Sequence, residues 1–293
     1  MEETEPQEAP NEIELPSGLE LTPESASTIT RSRLSRIIVL AGASESGKTT
    51  MLTAIYEKFC RGTFAGLRFA GSDTLWAWEQ ICHPLRKSSG RSSPKTERTK
   101  RTDEQPLLHL RLQSELAVDQ TVDVLMTDIS GERFEAAIES TDECKKLTLV
   151  RRADHFIVCL DGERLCNDRL RHNVRAEGRA TLRVFIEAGM LDKASSVMVL
   201  FTKADLLRKT PNVDSLISEI EAEYTDKFQS AVGALRFQAV AAYPFQTAIG
   251  VDDLIRRWTS ETRVGRHVEE VPETSTVGER QMDRFRDTLT NGH

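Results

Sequence analysis

Residues Leu40–Thr50 read LAGASESGKTT, and the run Ser35–Val39 just ahead of them reads SRIIV. A near-continuous apolar run that ends at glycine marks a strand covered on both faces. Gly42–Thr49 then fits GxxxxGK[ST] in full, and Thr49–Arg61 carries a helical pattern with Leu52, Ile55, Tyr56 and Phe59 on one face. Glycines at both ends let such a loop wrap so that successive backbone N–H groups point inward at phosphate oxygens, reinforced by the helix N-terminus. The residues placed to contact phosphate are Gly42, Ser44, Glu45, Ser46, Gly47, Lys48, Thr49 and Thr50. Lys48 would reach the β- and γ-phosphates, and the Thr49 hydroxyl would ligate Mg²⁺.

Beyond this loop the chain alternates strands and helices. Leu107–Leu112 (LLHLRL) and Thr121–Thr127 (TVDVLMT) read as a hairpin pair; His155–Leu160, Ser196–Phe201 and Phe237–Ala241 read as further strands. Helical patterns fall at 132–150, 169–190, 212–229 and 250–262. Six strands interleaved with helices predict an α/β three-layer sandwich with a mostly parallel sheet. Ligands in such folds bind at the carboxyl ends of the strands, which is where the loop lies.

Two further motifs choose the nucleotide. In Val122–Gly131, VDVLMTDISG, an apolar strand delivers Asp128 to its end and Gly131 follows at DxxG spacing. Asp128 is placed to hold the Mg²⁺ water shell, and the Gly131 N–H can contact a γ-phosphate, which would make the segment sensitive to triphosphate versus diphosphate. Thr202–Lys203–Ala204–Asp205 directly follows SVMVLF. A carboxylate at Asp205 can accept from the N1–H and 2-amino group of guanine, which adenine lacks, while the Lys203 stem packs over the base. GTP is therefore the nucleotide these residues imply.

Taken in this order and on these strands, the three motifs resemble the nucleotide site of the translation-factor-related and Ras-like class of P-loop GTPases. The loop is similar to that of heterotrimeric G-protein α-subunits, and IIVLAGASESGKTT with FTKAD is similar to the bacterial double-GTPase kind linked to conflict systems. The resemblance covers residues 35–262 and implies a Ras-like G domain over 33–262. It also implies a backbone contact to the guanine oxygen after the last strand, for which Ala241–Ala242 is the matching place, through an N–H and without the usual Ser-Ala-Lys.

Departures from that class bear on turnover. Ras-like enzymes place Gln after the DxxG glycine to orient the attacking water; here the residue is Glu132. A carboxylate near a γ-phosphate implies slow hydrolysis if Glu132 faces the water, and no such consequence if it simply begins a helix. The segment 62–106 is extended. Its aromatic part holds Trp76 and Trp78, read as core or partner-facing, and its stretch 86–104 holds seven Lys or Arg against three acids. In the class a threonine here closes over Mg²⁺ and the γ-phosphate, for which Thr99 and Thr102 are candidates, Thr102 being nearer the next strand. An arginine acting in cis on transition-state charge would be Arg98 or Arg101; a solvated basic loop is the plain alternative.

The rest of the composition sets bounds. The 293 residues are 39% apolar, enough for one substantial core. Residues 1–30 hold eight of the acidic residues and no Lys or Arg, so the net charge of −7 belongs largely to an N-terminal tail, 1–32, read as weakly ordered and either solubilising or a docking peptide. Residues 263–293 read as a second polar tail. The five cysteines form no CxxC pair and read as reduced thiols. No apolar run is long enough for a membrane span and no signal pattern opens the chain, so a cytoplasmic protein is expected. The nearly neutral folded part lacks a nucleic-acid module, so no specific nucleic acid is expected. Three function classes stand: a GTPase switch with a protein effector or activating partner, a GTP-binding scaffold with little hydrolysis, and an ATP-dependent kinase-like enzyme, which TKAD disfavours.

Overall fold

The computed structural model of the protein describes residues 17–86, 105–117, 119–242 and 248–260. Helix α1 (Pro23–Ser32) feeds strand β1 (Ser35–Ala41) and helix α2 (Lys48–Cys60). Strand β2 (Leu67–Gly71), helix α3 (Leu75–Cys82) and a 3₁₀ turn follow, then strands β3 (Leu108–Ser114) and β4 (Thr121–Asp128). Three short helices, α4 (Gly131–Glu139), α5 (Thr141–Lys145) and α6 (Leu149–Arg152), lead into strand β5 (His155–Leu160). Helices α7 (Gly162–Cys166) and α8 (Arg171–Glu187) precede strand β6 (Ser196–Phe201). Helices α9 (Ala204–Leu207) and α10 (Val213–Phe228), strand β7 (Ala234–Ala239) and helix α11 (Val251–Ser260) complete the chain.

The strands form one sheet in the order β2-β3-β4-β1-β5-β6-β7. β4, β1, β5, β6 and β7 run parallel, and β3 pairs antiparallel with both β2 and β4. Strands buried on both faces alternate their side chains between two cores. Val39, Phe156, Val158 and Val197 join Phe134, Leu182, Phe185 and Tyr224 on one face. Ile38, Leu40, Ile157 and Met198 join Leu52, Ile55, Trp78 and Trp258 on the other. Helices on both faces make the three layers that the near-continuous apolar strands require.

The sheet has seven strands rather than the six expected. β2 was not legible because it is a short, half-exposed edge containing glycine, without the apolar run of a central strand. The expected helix over 132–150 is broken into three, because Ser140 is extended (φ −143°, ψ 124°) and caps α5 by accepting from the Glu143 N–H at 3.4 Å. The last strand begins at Ala234, three residues earlier than expected, where Ala234 pairs with Ser196. Residues 17–32, assigned to the acidic tail, contain α1. Pro23 opens it, the Thr22 hydroxyl caps it by accepting from the Ser25 N–H at 3.3 Å, and Ala26 and Ile29 enter the core. Leu21 and Leu107 exchange two backbone hydrogen bonds of 2.9 Å, tying this segment to the sheet. All five cysteines are free thiols. No helix among the described residues is long and apolar enough to cross a membrane.

Candidate nucleotide-binding site

The loop Gly42–Thr49 wraps at the carboxyl end of β1, and its backbone explains its composition. Gly42 has φ 155°, and a Cβ there would lie 2.7 Å from the Cys159 carbonyl oxygen and 2.9 Å from Ser46 Oγ. Gly47 has φ 89° and forms the start of α2 with no side-chain cap. Glu45 takes a left-handed φ of 63°, which a non-glycine residue holds only when its neighbours enforce it. The first helical hydrogen bond runs from the Met51 N–H to the Gly47 carbonyl, 3.0 Å, so the amides of Lys48, Thr49 and Thr50 form the open first turn of α2. No acid sits in that turn. Such a terminus favours an anion.

Lys48 folds back over the loop. Its Nζ donates to the carbonyls of Gly42 at 2.8 Å and Ala43 at 2.9 Å. Burial lowers its pKa from the ordinary lysine value, and the Asp128 charge opposes that shift. The Ser46 hydroxyl, 1% exposed, has no hydrogen-bond partner among the described residues. A buried orphan hydroxyl, two loop carbonyls that share a lysine and an uncapped helix terminus together fit a bound polyphosphate.

The Asp128 segment meets this loop at two points. Thr49 Oγ1 donates to Asp128 Oδ2 at 2.7 Å, joining the first turn of α2 to the end of β4. A Cβ on Gly131 would lie 2.8 to 2.9 Å from the Cβ, Cα and N of Ser44, so only glycine lets the start of α4 approach the exposed Ser44 this closely. Ser130 caps α4 by accepting from the Arg133 N–H at 3.4 Å. Glu132 is exposed in the first turn of α4. A hydroxyl and one carboxylate are hard oxygen donors suited to Mg²⁺, which characteristically takes its remaining ligands from phosphate and water. Among the described residues no group of three or more His, Cys, Asp or Glu could hold a metal. Among the described residues Thr49 and Asp128 bring two such donors together.

The Thr202–Asp205 turn closes the third side. The Thr202 side chain lies against the loop, 3.6 Å from where a Cβ on Gly47 would sit. Lys203 has φ 52°, and the Ala204 N–H donates to the Val240 carbonyl at 3.0 Å, so the turn is fastened to the end of β7. Asp205 is half-buried. Lys203 Nζ is held by Asp161 Oδ2 at 3.0 Å and Glu163 Oε2 at 2.8 Å. Burial alone would lower its pKa, but the hydrogen bond to Glu163 and the charge of Asp161 outweigh burial and raise it.

Asp161 and Glu163 were missed in the sequence. Their only signal there is an acid directly after HFIVCL, at the carboxyl end of a strand. One expected contact is corrected. The Ala241 N–H donates to the Ile249 carbonyl at 3.1 Å, and its own carbonyl accepts from the Ile249 N–H, so this amide is already taken. The Ala242 N–H makes no backbone hydrogen bond among the described residues. Thr99, Thr102, Arg98 and Arg101 lie outside the described residues. Of Trp76 and Trp78, Trp78 is fully buried, as the core reading expects, and Trp76 is 58% exposed.

Among solved structures, the chain is similar to the Ski7 GTPase-like domain of S. cerevisiae bound to GDP and inorganic phosphate, with a TM-score of 0.44 and 13% identity over 74% of this chain and 45% of that one. It is also similar to the signal recognition particle receptor SRb-GTP/SRX complex from Chaetomium thermophilum, TM-score 0.42 and 16% identity, over 76% of this chain and 96% of that one. A third is translation elongation factor SelB from Methanococcus maripaludis in complex with the GTP analogue GppNHp, TM-score 0.41 and 12% identity, over 80% of this chain and 35% of that one. The chain thus spans less than half the length of the Ski7 and SelB chains. No curated protein matches it. The Double-GTPase 2 family model matches residues 36–259, a span that contains the loop, the Asp128 segment and the Thr202 turn, and the chain belongs to that family.

Proposed function

We propose that the protein binds GTP and GDP with Mg²⁺ and acts as a switch whose own hydrolysis of GTP is slow. The observation that carries this reading is the meeting of three motifs on one loop: Thr49 Oγ1 lies 2.7 Å from Asp128 Oδ2, Gly131 abuts Ser44, and Thr202 abuts Gly47. In this reading the amides of Ser44 to Thr50 cradle the phosphates, and Lys48 exchanges its two loop carbonyls for β- and γ-phosphate oxygens. Thr49 and Asp128, with Thr102, would hold Mg²⁺, which would supply neutralisation of phosphate charge. The Gly131 N–H senses the γ-phosphate and passes its presence to α4. Asp205 reads the guanine edge, the Lys203 stem covers the base, and Ala242 supplies the amide facing the guanine oxygen. Arg101 steadies transition-state charge, and Glu132 takes the place of the water-orienting glutamine.

A second reading rests on Glu132 itself. It sits exposed in the first turn of α4, where an acid suits the helix dipole. A chain that keeps GTP as part of an assembly, with little or no turnover, accounts for that placement equally well. Single-turnover phosphate release from Mg²⁺-GTP separates the two: release over minutes to hours supports the switch, and none over a day supports the scaffold. A protein effector or activating partner is implied by the first reading, and its surface would include α4 and α5.

A further inference from the structure

The ends of β5 and β6 carry two turns that interlock. A Cβ on Gly162 would lie 2.0 Å from the Thr202 carbonyl oxygen, so the turn Asp161–Glu163 can lie against the Thr202–Lys203 turn only with glycine between its two acids. Thr202 is gripped from the same strand, its N–H and Oγ1 both donating to the Leu160 carbonyl at 3.0 and 3.1 Å. Lys203 then adopts its left-handed backbone and sends Nζ across to Asp161 Oδ2 and Glu163 Oε2. Asp161 is 4% exposed and divides its carboxylate: Oδ1 caps α7 by accepting from the Glu163 N–H at 2.9 Å and the Arg164 N–H at 3.4 Å, while Oδ2 takes the lysine.

We propose that Asp161 and Glu163 are positioning residues for the base: by fixing the Lys203 ammonium they set its stem as a preformed shelf on which a purine lies flat for Asp205 to read. The inference rests on the guanine reading of Thr202–Asp205. A long, rotamer-rich side chain restrained by two acceptors has lost its freedom before the ligand arrives, and that loss is then not charged against binding. The cap on α7 does not explain the acid at 161, since a neutral Asn caps as well. What the charge adds is a partner for Lys203, and a carboxylate this deeply buried is retained when it is paired. Asp205 lies on the same rigid unit, because the Ala204 N–H is fastened to β7. Shelf and reader are therefore held together by the ends of three neighbouring strands, β5, β6 and β7.

Asp161→Asn keeps the cap and the volume and removes the charge; Glu163→Gln removes the charge at equal volume on an exposed side chain. The experiment measures release of GDP and IDP from the full chain, and binding of inorganic pyrophosphate, which has no base. The expected result is release of GDP and IDP faster by a similar factor, about tenfold for Asp161→Asn and less for Glu163→Gln, with pyrophosphate binding unchanged. Unchanged release in both variants would overturn the inference. So would a parallel loss of pyrophosphate binding, which marks distortion of the loop, or an effect on GDP alone, since a shelf cannot tell guanine from hypoxanthine. Wild-type protein that binds pyrophosphate but not GDP would instead remove the guanine reading itself.

Discussion

At single positions, the structure states where side chains are forbidden. Gly131 sits so close to Ser44 that Gly131→Ala must push α4 from the loop. The expected outcome is a loss of affinity for a GTP analogue of about tenfold, equivalent to one charge-assisted hydrogen bond, with GDP affinity unchanged; paired titrations of the two nucleotides check it, and equal losses for both would place the effect in the loop instead. Gly42–Thr49, Asp128–Gly131 and Thr202–Asp205 were each visible in the sequence as local spacings at the ends of apolar runs, and the structure brings the three segments together. What was not legible was pairwise. Lys203 meets Asp161 because β5 and β6 run in register, with Leu160 beside Phe201, and nothing local to either residue announces that. The Ala241 amide was misread for the same reason, its acceptor Ile249 lying eight positions further along the sequence.

At the scale of elements, the segment after the Asp128 motif is less regular than its periodicity suggests. Ser140 ends α4 and caps α5, so a stretch that reads as one amphipathic helix is jointed. Short helices hung from Gly131 are suited to move as pieces when a γ-phosphate is present. Hydrogen exchange over 131–145 is expected to slow with a GTP analogue relative to GDP; equal protection in both states would remove the switch reading. The aromatic part of the extended segment folds as the β2–α3 unit, and what holds it is a buried hub. His109 is fully buried: its Nε2 lies 2.7 Å from Asp123 Oδ1, its Nδ1 accepts from the Asp73 N–H at 2.9 Å, and its carbonyl accepts from Trp78 Nε1 at 2.9 Å. Trp78 also stacks on Tyr56 of α2, centroids 5.0 Å apart and 2° from parallel. Trp78→Ala should destabilise the chain by about 3–5 kcal/mol in urea unfolding, as deletion of a fully buried indole does, and a change below about 1 kcal/mol would show that α3 is not integral to the core.

For the whole molecule, the fold class followed from near-continuous apolar strands alternating with helices, while the edge strand and α1 did not, because short half-exposed elements lack that pattern. Global stability carries a pH signature from the opposite pole of the sheet. Burial first, and then the charges of Arg36, Arg236 and Arg257, push the His155 pKa down to about 4 from 6.5. Between those values the unfolded chain binds a proton that the folded chain refuses, so this contribution is complete above about pH 6.5 and is lost as the pH falls toward about 4. The loss is at most about 3 kcal/mol. His155→Gln, neutral throughout, should flatten the dependence of the urea midpoint on pH in that window; an unchanged slope would assign it to other groups. A guanine-specific triphosphate site is tested by binding of GTP, GDP and ATP with Mg²⁺ to wild type and to Asp205→Asn. Binding of GTP and GDP with ATP excluded is expected in the wild type, and loss of guanine preference in the variant. Equal binding of ATP and GTP by the wild type would contradict it.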